Sequence, residues 1–123
     1  KYFHRDLGVM DMDLFDFELF YSTDFPMTKS VRLEYGDSQM THAMLFTGVD
    51  LDKKGNPRKW RVENSWGDKR GDKGYDIMTD KWFDEYNYEV VVHKKYLTKE
   101  ELEIYQRDPI KLQPWDPMGA LAI

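Results

Sequence analysis

The sequence predicts an α+β fold in which strands dominate, and two features of the 123 residues carry that prediction. The first is a hairpin pattern, with apolar side chains alternating over residues 41–51 and again over residues 59–65. Residues 52–57 between them are rich in turn formers, because Gly adopts positive φ and Pro cannot donate to a ladder. The second feature is a capped helix signal near residue 98. Together they predict an antiparallel sheet followed by a late helix.

The composition is that of a single globular domain. Hydrophobic residues make up 41% of the chain and aromatic residues 15%, which argues against disorder. The net charge is −5 and no basic stripe is present, so nucleic acid is not an expected partner. No apolar run approaches the roughly 20 residues that a membrane-spanning helix needs, so a membrane is not expected either.

The segment before the hairpin carries weaker signals. Apolar and acidic side chains alternate over residues 15–21, which favours a half-buried strand. Pro26 breaks that pattern, and the polar residues after it allow a short helical turn over residues 28–33. We therefore expect one strand and one brief helical turn ahead of the hairpin.

Three shorter elements are expected after the hairpin. Residues 74–78 predict a third strand, and Thr79 or Asp80 can cap a brief helix that carries several aromatic side chains. Residues 88–93 include three consecutive valines, which favours another strand because β-branched side chains suit a pleated surface. The aromatic residues of the brief helix are Trp82, Phe83 and Tyr86.

The late helix begins at a capping box. Thr98 can accept from the backbone N–H of Glu101, and the Glu101 side chain can reach back to the backbone of Thr98. The helix ends at Asp108-Pro109, because proline disfavours helical geometry in the residue before it. The chain thus divides into residues 1–107 and an irregular tail, residues 108–123.

Strand parity places His42 and Asn64 on the same face of the hairpin. Each residue is the polar end of an apolar row, since side chains two apart share a face. A turn centred on Lys53 sets the two directly opposite each other, and a turn centred one residue later makes them diagonal neighbours. Either register brings an imidazole and an amide together at the edge of an apolar surface.

This pairing has a chemical use. If the side-chain oxygen of Asn64 accepts from one ring nitrogen of His42, it fixes the ring plane and the tautomer, and the other nitrogen can face a nucleophile. The indole of Trp66 would cover that bond and keep water away from it. Taken singly, each residue has a more ordinary explanation: a structural histidine, a strand-end asparagine and a packing tryptophan. The chain contains no cysteine, so a thiol nucleophile would have to come from elsewhere.

Local motifs around these residues resemble the papain family. The pattern typical of that family's catalytic asparagine and histidine is matched at Asn64-Ser65-Trp66-Gly67, Gly71, Gly74-Tyr75 and His42-Ala43. Wider segments resemble the bleomycin hydrolase family, the cysteine aminopeptidase branch of the papain clan, and the similarity runs over essentially the whole chain. Those segments are Met40-Thr41-His42-Ala43-Met44, Arg61-Val62-Glu63-Asn64-Ser65-Trp66-Gly67 and Trp115-Asp116-Pro117-Met118-Gly119-Ala120-Leu121-Ala122.

The resemblance implies a papain-like cysteine peptidase fold, of which residues 1–107 would be the β-rich C-terminal half and residues 108–123 an extended arm. His42 would be the general base and ion-pair partner of a cysteine thiolate, Asn64 would orient it, and Trp66 would shield the pair. The nucleophilic cysteine would belong to an N-terminal half that this chain lacks, so the chain alone is expected to be inactive.

The resemblance also implies what the whole enzyme does. The arm ending in Leu121, Ala122 and Ile123 would lie in the substrate cleft, where its carboxylate would meet the free amine of a peptide and limit cleavage to N-terminal residues. Peptides with a free N-terminus would be substrates, with the amide of bleomycin in range, and the enzyme would be a cytoplasmic homohexamer. No cofactor is implied.

The sequence leaves two rival interpretations of the function open. The chain could be a non-catalytic binding module with a papain-like half-sheet, or a catalytically inactive relative; an upstream cysteine would distinguish the enzyme from both.

A calcium loop over residues 68–74 is not expected, because Arg70 and Lys73 occupy positions that need a ligand and a glycine. Asp11 and Asp13 have no convergent third ligand, so no metal site is expected there.

Overall fold

A five-stranded sheet organises the computed structural model, which describes residues 2–118. The order across the sheet is β1-β2-β5-β4-β3, so β5 is the central strand. The strands are β1 (Phe3–His4), β2 (Val9–Met10), β3 (Leu45–Leu51), β4 (Pro57–Glu63) and β5 (Tyr75–Thr79).

The predicted hairpin is confirmed as β3 and β4, which pair antiparallel. In its turn, Asp52 Oδ1 accepts from the backbone N–H of Lys54 at 2.7 Å and of Asn56 at 2.9 Å. The bond from Asn56 has the largest effect, and together these bonds lower the pKa of the Asp52 carboxyl. Gly55 lies at φ +87°, the left-handed region that glycine adopts without steric cost. The turn is therefore built by the residues that predicted it.

The hairpin strands differ from the prediction at their ends. β3 begins at Leu45, so residues 41–44 precede the strand, and β4 runs from Pro57 to Glu63. Pro57 stands at the first position of its strand, where the missing N–H removes no bond from the middle of the ladder. The register shifts between Phe46 and Gly48 and again between Asp50 and Leu51, where the pairing is irregular.

The expectation of a wholly antiparallel sheet is wrong at one pairing. The predicted third strand is confirmed as β5, which is antiparallel to β4 but parallel to β2. β1 and β2 were not predicted, because strands of two residues each show no periodicity. The sheet is mixed, and the parallel pairing brings the N-terminal segment beside β5.

Helix α3 (Asp80–Tyr86) follows β5 directly and contacts the sheet. Its predicted cap is confirmed, since the Thr79 side chain accepts from the Trp82 N–H at 3.4 Å. Trp60 Nε1 on β4 donates to Asp80 at 2.9 Å, which ties the start of the helix to the neighbouring strand. The fully buried core beneath it consists of Met10, Val62 and Met78.

The strand predicted over residues 15–21 is wrong, and a short helix α1 (Phe17–Tyr21) occupies that segment. Asp16 Oδ1 accepts from the Leu19 N–H at 2.8 Å and starts the helix. Phe17 and Tyr21, one turn apart, stack with ring centroids 6.4 Å apart. Local capping and ring contacts therefore prevail over the alternating pattern. The predicted helical turn near residue 28 is confirmed as α2 (Lys29–Glu34).

The strand predicted over residues 88–93 is also wrong, since this segment is irregular. Val91 is 89% exposed, and the segment joins neither edge of the described sheet. Strand propensity needs a partner ladder, and the described part of the chain offers none to these valines. A single 3-10 turn (Lys94–Tyr96) follows.

The late helix is confirmed as α4 (Lys99–Tyr105), with both bonds of the capping box present. Thr98 N donates to Glu101 Oε2 at 2.7 Å, and Glu101 N donates to Thr98 Oγ1 at 3.2 Å. Residues 108–118 after it contain no helix or strand.

Candidate active site

The predicted contact between His42 and Asn64 is present. His42 Nε2 lies 2.8 Å from Asn64 Oδ1. The ladder ends at the pair Leu45 and Glu63, and extending its register by one residue would set Met44 opposite Asn64 and make His42 a diagonal neighbour. This is the second of the two registers that the sequence allowed. The last residues before β3 thus deliver an imidazole to the end of β4.

The amide of Asn64 has one orientation, because its partners differ in chemistry. Its Oδ1 accepts from the backbone N–H of Ser65 at 2.9 Å, and its Nδ2 donates to Asp76 Oδ2 at 3.0 Å. A backbone N–H can only donate and a carboxylate can only accept, so the two bonds together exclude the flipped amide. His42 Nε2 must therefore carry the proton that Asn64 accepts, which leaves Nδ1 for chemistry.

Trp66 lies against the ring of His42, as expected. The two rings stack with centroids 4.9 Å apart and an interplanar angle of 27°. Phe3 stacks on Trp66 at 6.1 Å, and the guanidinium of Arg5 lies 5.6 Å from the indole centroid. The N-terminal segment thereby supports the indole. The indole therefore covers one face of the His42 ring.

The His42–Asn64 pair lies at the border between the sheet and the exterior. His42 is exposed and Asn64 is half-buried, while Trp66 retains 42% exposure. An exposed imidazole with one nitrogen fixed and one available can accept or donate a proton. The chain contains no cysteine that could serve as a thiol nucleophile beside this imidazole.

Asp76 is a residue of this site that the sequence reasoning missed. It lies on β5 directly opposite Val62 and is 4% exposed, on the same face as the buried Met78. The signal was available, because parity along the predicted third strand places residues 76 and 78 on one face. A carboxylate in an inward-facing row is uncommon enough to indicate a specific partner. That partner is Asn64.

The described residues contain no group of three or more His, Cys, Asp or Glu side chains that could hold a metal ion. Asp11 accepts from Thr79 Oγ1 at 3.2 Å, and Asp13 pairs with Lys81 at 2.8 Å.

Among the described residues, no helix is long and apolar enough to cross a bilayer. The predicted cleft-limiting residues Leu121, Ala122 and Ile123 lie outside the described part of the chain.

Comparisons with known proteins agree with the resemblance seen in the sequence. The chain is 53% identical over 119 residues to aminopeptidase C of Lactococcus lactis subsp. lactis, covering 97% of this chain and 27% of that protein. It is 52% identical over 125 residues to bleomycin hydrolase of Homo sapiens, covering 99% of this chain and 28% of the relative. The chain therefore spans about a quarter of the length of the curated relatives it matches.

A solved structure agrees with the fold. The crystal structure of PepW from Lactobacillus rhamnosis HN001 superimposes with a TM-score of 0.82 at 50% identity, covering 94% of this chain and 26% of that one. The predicted α+β, papain-like fold is thus confirmed. The model of the Peptidase C1-like family matches residues 1–119. This chain belongs to the Peptidase C1-like family.

Proposed function

We propose that this chain is the C-terminal part of a cysteine aminopeptidase that removes N-terminal residues from peptides. The bond between His42 Nε2 and Asn64 Oδ1, 2.8 Å long, is the observation that carries the proposal. Family membership and the names of the relatives, aminopeptidase C and bleomycin hydrolase, support it. The nucleophilic cysteine would come from an upstream segment of the same protein.

In this mechanism His42 Nδ1 faces the sulfur, because Nε2 is held by Asn64. Transfer of the thiol proton to Nδ1 gives a thiolate–imidazolium pair, and the thiolate attacks the carbonyl carbon of the first peptide residue. The tetrahedral intermediate collapses when His42 gives that proton to the leaving amine nitrogen, and the C–N bond breaks. Water then attacks the thioester carbon while His42 accepts one of its protons; the C–S bond breaks, the amino acid is released and the thiolate–imidazolium pair is restored.

Loss of Asn64 tests the orienting role. Asn64→Ala should lower kcat by at most about 10⁴-fold, as for other residues that orient a catalytic histidine, with little change in KM. The measurement is steady-state hydrolysis of an aminoacyl fluorogenic amide by the full-length protein. Asn56→Ala is the matched control, because Asn56 lies in the exposed β3–β4 turn. Equal kcat in the two variants would contradict the role of Asn64.

The division of the chain is part of the same proposal. Residues 1–107 would form the β-rich half of the catalytic domain, and residues 108–123 would be an arm that leads to the cleft. Residues 108–118 contain no helix or strand, which suits an extended arm. Leu121, Ala122 and Ile123 would then occupy the side of the cleft beyond the peptide's amine.

We also propose that the full-length protein is cytoplasmic and forms a homohexamer, as the bleomycin hydrolase resemblance implies. The 123-residue chain alone should hydrolyse no peptide, because it contains no cysteine. The intact mass of the protein from its source is the simplest test. A mass larger than that of 123 residues, together with an alkylatable thiol, supports the enzyme; a natural protein of this length without a thiol would contradict it.

A further inference from the structure

We propose that Asp76 is a positioning residue for the His42–Asn64 pair. Its buried carboxylate holds the Asn64 amide by the nitrogen, so that the amide oxygen faces the histidine. Asp76 Oδ2 lies 3.0 Å from Asn64 Nδ2, and Asn64 Oδ1 lies 2.8 Å from His42 Nε2. This inference rests on the proposed function, because it assigns a role within that site.

The sheet register makes the contact specific. Asn64 N donates to the carbonyl of Gly74 at 3.0 Å, so Asn64 and Gly74 are opposite one another, and Asp76 opposes Val62. Asp76 is therefore the diagonal neighbour of Asn64 on the inward face, where short side chains can meet. A side chain at this position of β5 is directed at the amide by the backbone itself.

Two glycines enclose the other oxygen of the carboxylate. A Cβ atom added at Gly8 would lie 2.6 Å from Asp76 Oδ1, and one added at Gly71 would lie 2.7 Å from it. Both positions have positive φ, +66° at Gly8 and +58° at Gly71, which L side chains rarely adopt. Backbone thus approaches Oδ1 from two segments while Oδ2 is directed at Asn64. The carboxylate has little room to turn away.

Packing alone does not favour a carboxylate here. Asp76 is 4% exposed and shares its face with Met78 and Val62, so an apolar side chain would fill the position without the cost of desolvating a charge. The carboxylate instead penalises the flipped amide. A flip would set the amide oxygen against the carboxylate and the NH₂ group against the proton on His42 Nε2. Without Asp76, the described contacts that fix the orientation reduce to the Ser65 N–H.

The test compares Asp76→Leu and Asp76→Asn in the full-length protein. Asp76→Leu removes the acceptor and should lower kcat by about 10- to 100-fold, by analogy with groups that orient the ligands of a metal site, with KM nearly unchanged. Asp76→Asn still offers an oxygen to Asn64 Nδ2 and should recover a large part of that loss. Asp80→Asn is the matched control, since Asp80 accepts from Trp60 Nε1 on the same sheet away from the pair. It should change thermal stability but not kcat.

A double-mutant comparison separates positioning from a structural role. If Asp76 acts through Asn64, adding Asp76→Leu to Asn64→Ala should lower kcat no further. A carboxylate that only stabilises the sheet would lower the yield of active enzyme equally in both backgrounds. If Asp76→Leu does not fold, the same comparison is made with Asp76→Asn, which keeps the shape and should lower kcat only when Asn64 is present.

Two results would overturn the inference: Asp76→Leu with wild-type kcat, or an equal loss in the presence and absence of Asn64. The control for the proposed function is separate. Turnover that survives His42→Ala would refute the enzyme site as a whole. An inactive His42→Ala variant beside a fully active Asp76→Leu variant would refute only the role of Asp76.

Discussion

Replacing His42 by alanine should abolish peptidase turnover of the full-length protein and leave its fold intact. The variant loses both the base that forms the thiolate and the acid that protonates the leaving amine, and removal of such a histidine costs about 10⁴-fold or more. The fold should survive because His42 is exposed and precedes β3. The measurement is kcat/KM on an aminoacyl fluorogenic amide, with thermal unfolding measured on the same sample.

His93→Ala provides the control for this experiment. His93 is also exposed, and its side chain accepts from the Lys95 N–H at 3.2 Å, far along the chain from the His42–Asn64 pair. Its loss should leave kcat/KM unchanged. A His42→Ala variant that turns over substrate as fast as His93→Ala would remove the basis of the proposed mechanism.

Deleting residues 119–123 should change where peptides are cut. In the proposed arrangement the terminal carboxylate pairs with the ammonium group of the substrate and the arm fills the cleft beyond it, so internal segments cannot enter. Without the arm, the cleft is open on that side and internal bonds become accessible. Mass spectrometry of products from a peptide with an acetylated N-terminus should show internal cleavage by the deletion variant and none by the wild type.

A length-preserving variant controls for loss of side-chain contacts. Leu121→Ala keeps the chain end and its carboxylate in place, so it should still remove residues one at a time from free amino ends. A deletion variant that remains strictly an aminopeptidase, with no product from the acetylated peptide, would contradict the role of the arm.

The meeting of His42 with Asn64 was predictable from the sequence because hairpin parity fixes the face. The register was not, because the turn admitted two centres, and the bulge between Phe46 and Gly48 has no sequence signal of its own. Both centres kept the two side chains on one face. The bulge alone would have moved His42 to the other face, but a second register shift between Asp50 and Leu51 offsets it, so the two side chains still meet. The family resemblance gave the contact its chemical meaning.

The two wrong strands have different physical causes. Residues 15–21 alternate like a strand, but the Asp16 cap and the stacking of Phe17 on Tyr21 stabilise a helical turn locally. Residues 88–93 have the side chains of a strand, but no described strand pairs with them. Strand propensity is a property of one segment, whereas a ladder also needs a neighbouring strand to pair with.

The role of Asp76 could not be predicted from the sequence of its own strand. The strand itself was predicted, but its inward carboxylate gains meaning only from β4 beside it, which places Asn64 diagonally across the ladder. The parallel pairing with β2 adds Gly8 against the same carboxylate. Neither neighbour follows from the local sequence of residues 74–78.

The thiolate–imidazolium pair can be measured directly by alkylation of the full-length protein with iodoacetamide across pH. A free cysteine has a pKa of about 8.5, so it reacts slowly in mild acid. If His42 Nδ1 pairs with the sulfur, the active-site thiol should alkylate rapidly at about pH 5–6 in the wild type and lose that reactivity in His42→Ala. An alkylation profile that is identical in the two proteins would show that His42 does not act on the nucleophile.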